Sequence, residues 1–224
     1  HLTVTGEVVT SLQVIFLIDW YFVRQELLLD KNEYLPYHQA DNNVIVQTVT
    51  SGPDSDWASI QQSYFTLINM AKRYVFISTP YFMPGETTLN SLKTAAMSGV
   101  DVRLLLPHKS DSWLTHWCTR SYVEELLEAG VKIYEYQPGF LHAKSFVSDD
   151  EIGVVGTINL DYRSLYLHFE CCMYMYKNET VFDIEKDYQE TLKQSQEITV
   201  KDCDEYSGVK KIAGSLLRFI APLM

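Results

Sequence analysis

Long apolar runs are missing from this chain. The run at residues 14–18 is stopped by Asp19, whereas a membrane span needs about 20 apolar residues, so no segment reads as a transmembrane helix. No signal-peptide pattern is visible either. Cysteine is scarce: 4 residues in 224, with no C-x-x-C pair and no zinc-like spacing. Cys118, Cys171, Cys172 and Cys203 therefore read as buried, reduced thiols of a cytosolic protein, and the adjacent pair Cys171 and Cys172 would point to opposite faces of a strand. Positive charge is in short supply. Eighteen Lys and Arg against 29 Asp and Glu leave a net charge of −11, which argues against nucleic acid as a partner but leaves room for a local basic pocket. The chain has neither a low-complexity linker nor a duplicated motif, so one domain over residues 1–224 is expected. It opens on His1 rather than Met, and the expectation is that the natural protein starts further upstream.

With 46% hydrophobic and 21% charged residues, the sequence has the balance of an ordinary globular protein large enough for a full core. Apolar Val9, Leu12, Phe16 and Trp20 predict a helix over 6–30. Strands are expected at 43–50, 74–79, 101–107 and 131–136. Helices are expected at 57–73 with Asp56 as cap, at 87–97 ended by Gly99, and at 113–129 ended by Gly130. This β-α-β-α-β-α-β rhythm predicts an α/β fold with a mixed, mostly parallel sheet flanked by helices. The rhythm then breaks. Strands at 141–148 and 152–156 are separated by only a short polar turn, which signals a hairpin. A strand at 170–176 and helices at 183–195 and 206–222 complete the prediction.

The hairpin carries the chemistry. With its tip at Asp150-Glu151, His142 would face Asn159 and Lys144 would face Thr157, while His142 and Lys144 share a face because strand side chains alternate. An imidazole, an ammonium, an amide and a hydroxyl would then meet. Such a cluster suits a phosphodiester. The imidazole can attack phosphorus or protonate a leaving oxygen, and Lys144 and Asn159 can stabilise charge on the non-bridging oxygens. Asp149 falls at the tip, about 20 Å along the strand at about 3.3 Å per residue, where pinning turn amides suits it better than touching substrate.

His142-Ala-Lys144, four residues, Asp149, six residues and Gly156-Thr157-Ile158-Asn159 resemble the H-x-K-x4-D-x6-G-[ST]-x-N signature of the phospholipase D superfamily. The stretches "LQVIFLIDWYF", "STPYFMPGE", "NLDYRSLYLHFE" and "LLRFIAPLM" look like bacterial cardiolipin synthases of that type, and the likeness runs through nearly the whole chain. It implies a phospholipase D-like domain corresponding to the C-terminal half of a two-motif enzyme, with residues 1–30 forming a helix that leads in from a missing first half. It also implies a phosphatidyl transferase that makes cardiolipin and glycerol from two phosphatidylglycerol molecules through a phosphohistidine, without metal or cofactor. The implied partners are phosphatidylglycerol, an anionic membrane surface, and the upstream half with its own motif or a second copy of this chain. His142, Lys144, Asp149 and Asn159 form the implied catalytic set, with His142 as general acid–base opposite a nucleophilic His in the first half. The membrane helices and the second motif usual in the family are not in this sequence, since no other His stands in H-x-K. The resemblance leaves open a one-motif phosphodiesterase that pairs two chains, and a non-catalytic lipid-binding fragment.

Neighbouring residues extend the candidate site. Tyr81 and Phe82 follow the carboxyl end of a strand, where α/β proteins place ligands; they are candidates for lipid contact or for a packed aromatic loop. Glu170 matches the acidic residue that, in the resembled enzymes, orients the catalytic His. His168 would share its face and reads as structural. Near the C-terminus, Val209, Ile212, Leu216 and Ile220, with Lys210, Lys211 and Arg218 elsewhere, predict an amphipathic helix that packs on the domain or touches an anionic membrane.

Overall fold

A computed structural model of the chain describes residues 1–35, 40, 44–204 and 208–223. In chain order the elements are α1 (Val8–Arg24), α2 (Lys31–Tyr34), β1 (Ile45–Ser51), α3 (Ser59–Met70), β2 (Tyr74–Ser78), β3 (Phe82–Met83), α4 (Glu86–Met97), β4 (Asp101–Pro107), α5 (Trp113–Glu128), β5 (Lys132–Tyr136), β6 (Ser145–Ser148), β7 (Ile152–Gly156), β8 (Leu160–Asp161), β9 (Glu170–Tyr176), α6 (Glu179–Leu192), β10 (Ser195–Ile198), α7 (Val200–Asp204) and α8 (Gly208–Ile220). A π-turn at Arg163–Leu167 joins β8 to β9. Among the described residues no helix is long and apolar enough to cross a membrane.

Eight strands form one mixed sheet in the order β1-β9-β7-β6-β2-β4-β5-β10. Only β2-β4 and β4-β5 pair in parallel. Following the antiparallel pairings outward, β1 and β7 still point the same way as β2, β4 and β5. The helical rhythm in the sequence thus tracks strand direction, while the parallel neighbours are confined to the two crossovers through α4 and α5. The hairpin β6-β7 and strand β9 separate β1 from β2, and every pairing there is antiparallel.

The alternation of side chains builds two cores. Val75, Ile77, Leu104, Phe146, Val154 and Tyr174 face the layer of α3, α4 and α5, with Ile60, Ile68, Leu92 and Leu126 fully buried there. Phe76, Leu105, Val147 and Met175 face the other side, where α6 covers them with Val181 and Tyr188. Gly99 and Gly130 end α4 and α5 in the left-handed region (φ +94° and +93°), as the sequence predicts. Other expected boundaries shift. Ala58, with no side-chain bond, precedes α3, so Asp56 caps nothing. α6 begins earlier, where Asn178 accepts from the Thr180 amide at 3.0 Å. The edge strand β10, rich in polar residues and exposed at Gln196 and Glu197, was not legible in the sequence. Asn43, the first residue of one expected strand, and Tyr206 lie outside the described residues, as do the side chains of residues 209–212. Where α8 is described it packs on α5. Arg218 stacks over Tyr122 at 4.0 Å, binds Ser121 Oγ at 2.9 Å and pairs with Glu125 at 2.6 Å.

Candidate active site

The pairing of β2 with β6 sets the geography. Ser78 lies opposite Ser145, and Val75 opposite Ser148. The carboxyl end of β2 therefore meets the start of β6, and the same edge holds Gly156 at the end of β7 and Glu170 at the start of β9. Lys144, Thr157, Glu170 and the loop after β2 converge there. The tip of the hairpin lies at the opposite edge.

At that far edge the Asp149 carboxylate accepts the backbone amides of Lys72, Arg73 and Tyr74 at 2.7, 2.9 and 2.8 Å. Asp150 binds Tyr74 Oη at 2.7 Å and pairs with Arg73, whose guanidinium holds the Asp150 carboxyl below its ordinary pKa. The resemblance ranks Asp149 with the catalytic set, while its place at the hairpin tip favours pinning backbone amides; its carboxylate is engaged in the second way, on the α3–β2 connection rather than on the hairpin turn itself. The turn is also one residue longer than expected. Ser148 pairs with Ile152, and Asp149 and Asp150 both sit at positive φ (57° and 61°), a region short polar side chains tolerate.

That extra turn residue moves the register by one. Lys144 stands opposite Gly156, whose amide donates to the Lys144 carbonyl at 3.3 Å, and not opposite Thr157. His142 precedes the ladder altogether. It is exposed at the lip of the site, its ring stacked on Phe140 at 5.5 Å, with Phe140 next to Tyr81 at 6.2 Å. Tyr81 itself donates to Asp111 at 2.5 Å. Phe82 is the second correction: it is fully buried, edge-on to Tyr122, and has no surface for a lipid. Gly156 has a steric reason. A Cβ there would meet Cys172 Sγ at 2.4 Å and the Cys171 carbonyl at 2.6 Å, so only glycine lets β7 approach β9 this closely.

The Lys144 ammonium is half-buried and donates to the His142 carbonyl at 3.0 Å. Burial lowers its pKa, while Glu170 and Asp161 act in the opposite direction. Glu170 is 8% exposed and takes a short hydrogen bond from the Thr157 hydroxyl. Its other oxygen faces His168 Nδ1 at 3.7 Å, so it is placed on His168 rather than on His142. Arg163 Nε donates to His168 Nε2 at 2.8 Å, which puts the proton of a neutral His168 on Nδ1, toward Glu170. Asn159 gives its amide to Ser164 Oγ at 3.1 Å, and its carbonyl oxygen, buried, has no partner among the described residues.

Beside these groups lies a cleft of about 270 Å³ walled by Tyr81, Met83, Thr115, Asn159, Asp161, Arg163, Ser164 and His168. Two short strands assemble it. Phe82–Met83 pairs in parallel with Leu160–Asp161, and the Thr79 hydroxyl clips them by accepting from Leu160 N at 3.2 Å and donating to the Tyr81 carbonyl at 2.8 Å. Sequence reasoning missed Phe140, Asp161, Arg163 and Ser164 and read His168 as structural. The available signal was the polar run N-L-D-Y-R-S that continues from the motif.

Residues 64–192 match the family model described as cardiolipin synthase, PLD-like domain. The whole chain is 42% identical to a protein named cardiolipin synthase from Geobacillus kaustophilus and 40% identical to cardiolipin synthase 2 of Bacillus anthracis, and covers 45% and 44% of their lengths. It spans, then, less than half of these curated relatives. Among solved structures, phosphatidylserine synthase of Haemophilus influenzae superposes with a TM-score of 0.64 at 15% identity, over 83% of this chain and 47% of that one. The phospholipase D family member Nuc of Salmonella typhimurium gives 0.59 at 15% identity, over 70% of this chain and 99% of that one. At these identities the structural likeness speaks for the fold.

Proposed function

The chain belongs to the cardiolipin synthase family of phospholipase D-like domains, and from that premise we propose that it supplies one of two half-sites of a phosphatidyl transferase. The reaction joins two phosphatidylglycerol molecules into cardiolipin and releases glycerol. An imidazole nitrogen attacks the phosphorus; the bond to the glycerol oxygen breaks as a second imidazole delivers its proton to that oxygen. The primary hydroxyl of the second lipid then gives its proton to the same imidazole while its oxygen attacks phosphorus and the phosphorus–nitrogen bond breaks. His142 is the acid–base in this scheme, Lys144 faces the developing phosphoryl charge, and the facing half brings the nucleophile at an anionic membrane surface.

The observation that supports the reading is the convergence of the H-x-K segment with Thr157, Asn159 and Glu170 at one sheet edge. A second reading, two copies of the chain forming a phosphodiesterase, is favoured by the Nuc structure, nearly all of whose chain fits this one fold unit. Incubation with phosphatidylglycerol vesicles, alongside His142→Ala, separates them. Cardiolipin and glycerol, lost in the variant, support the transferase; phosphatidic acid supports the hydrolase. A folded but silent chain that gains activity only with the upstream half supports the half-site. A His142→Ala protein as active as the original would overturn both.

A further inference from the structure

A general base is ordinarily aimed by a third group that bonds its second nitrogen. His142 has no such group in this chain. It is exposed at the lip of the site, and among the described residues its ring nitrogens make no hydrogen bond and no ion pair. Glu170, the residue expected to orient it, is engaged by Thr157 and His168. The ring is held by its face instead. It stacks on Phe140 with centroids 5.5 Å apart and planes inclined by 30°, within the offset geometry that aromatic pairs favour. A stack fixes the plane of an imidazole and consumes neither nitrogen, so both stay available for proton transfer in that plane.

Phe140 cannot do this alone. It is 40% exposed and lies in the irregular segment between β5 and β6, where an unsupported ring moves among rotamers. Its neighbour is the Tyr81 ring, 6.2 Å away at 47°, and Tyr81 is tied at both ends. Its carbonyl accepts from the Thr79 hydroxyl at 2.8 Å, and its own hydroxyl donates to Asp111 at 2.5 Å. Burial first, and Asp111 second, push the Tyr81 pKa up to about 12, so the hydroxyl keeps its donor hydrogen at neutral pH. Asp111 comes from a braced loop. On one side of it the His108 ring bonds the buried Glu135 carboxylate at 2.9 Å, and on the other Ser112 caps α5 by accepting from Thr115 N at 3.5 Å. The row Asp111, Tyr81, Phe140, His142 thus links the segments that follow β4, β2 and β5, three strands that pair in parallel. We propose that Phe140 is a positioning residue for the His142 imidazole, and that Tyr81, held by Asp111, keeps Phe140 in place. The inference rests on the reading of His142 as acid–base and adds to it the residues that aim the ring. A misplacement of about 1 Å at a reacting group is enough to cost roughly a hundredfold in rate.

The test compares Phe140→Leu, Phe140→Tyr, Tyr81→Phe and Asp111→Ala on phosphatidylglycerol vesicles, in whichever form of the protein turns the lipid over, the chain alone or the chain with its upstream half. Phe140→Leu is expected to lower kcat roughly tenfold, the upper end of what one aromatic pair contributes, and to leave KM nearly as it was. Phe140→Tyr keeps the ring and recovers most of the loss. Tyr81→Phe and Asp111→Ala break the same hydrogen bond, so each lowers kcat about threefold and the double variant lowers it no further. In the Phe140→Leu background neither adds to the loss. NMR of the carbon-bound ring hydrogens of His142 reads the stack directly in the folded chain; the shift imposed by a neighbouring ring is expected in Phe140→Tyr and absent in Phe140→Leu. Asp111 is exposed, so its variant keeps the test sound where Phe140→Leu fails to fold. Identical His142 shifts in Phe140→Leu, an effect on KM alone, or additive losses from Tyr81→Phe and Asp111→Ala would each overturn the assignment. The two readings fail separately. A fully active His142→Ala sinks the acid–base role, whereas a silent His142→Ala beside a fully active Phe140→Leu sinks the positioning role alone.

Discussion

Replacing Asp149 by Ala separates its structural role from its place in the motif. The substitution removes the acceptor of three backbone amides, those of Lys72, Arg73 and Tyr74. Hydrogen bonds to a charged acceptor are worth about 1.5–3 kcal/mol when buried, but Lys72 and Arg73 can turn to water, so about 1 kcal/mol each is the fair figure. Alanine held at φ 57° adds about 1 kcal/mol of backbone strain. The expected loss is therefore about 3–4 kcal/mol, or a fall of roughly 6–16 °C in melting temperature for a chain of this size. Asp149→Asn keeps one acceptor oxygen and tolerates the left-handed region, and loses roughly half as much. The assay is thermal unfolding of the three proteins, with transferase activity measured per folded molecule well below the transition. A melting temperature unchanged in Asp149→Ala, with activity abolished, would refute the structural assignment and return Asp149 to the catalytic set.

Gly156→Ala is expected to destabilise by about 3 kcal/mol or more, because its methyl would overlap the Cys171 carbonyl, a backbone atom that cannot turn aside; denaturant unfolding measures it, and a neutral result would mean that β7 and β9 sit further apart than described. His116, half-buried beside Arg120 and His108, has its pKa pushed down to about 4 by burial first and by those charges second. The unfolded chain thus binds a proton between pH 6.5 and about 4 that the folded chain refuses, so stability falls as pH drops through that window. His116→Gln should flatten the decline; an identical pH–stability profile in the variant would disprove the source.

Much of the site was written in the sequence, because its signals are local. The fixed spacing of His142, Lys144, Gly156 and Asn159 and the period-2 strands around them depend on neighbours along the chain. So do the glycine stops at Gly99 and Gly130. Direction in the sheet was legible too, since helices between β1, β2, β4 and β5 return the chain to the same end. What needed tertiary structure were the decisions made by distant partners. Asp149 and Asp150 in left-handed conformations lengthened the turn by one residue, and with a side-chain period of 2 that single residue changed every facing pair. Phe82 went into the core because its strand partner is Leu160, on the far side of the sequence. Glu170 found Thr157 and His168 instead of His142 because β9 pairs beside β7. The cleft with Asp161 exists only where those pairings meet. Sequence determined which chemical groups the protein carries and along which strands; long-range hydrogen bonding decided which of them face each other.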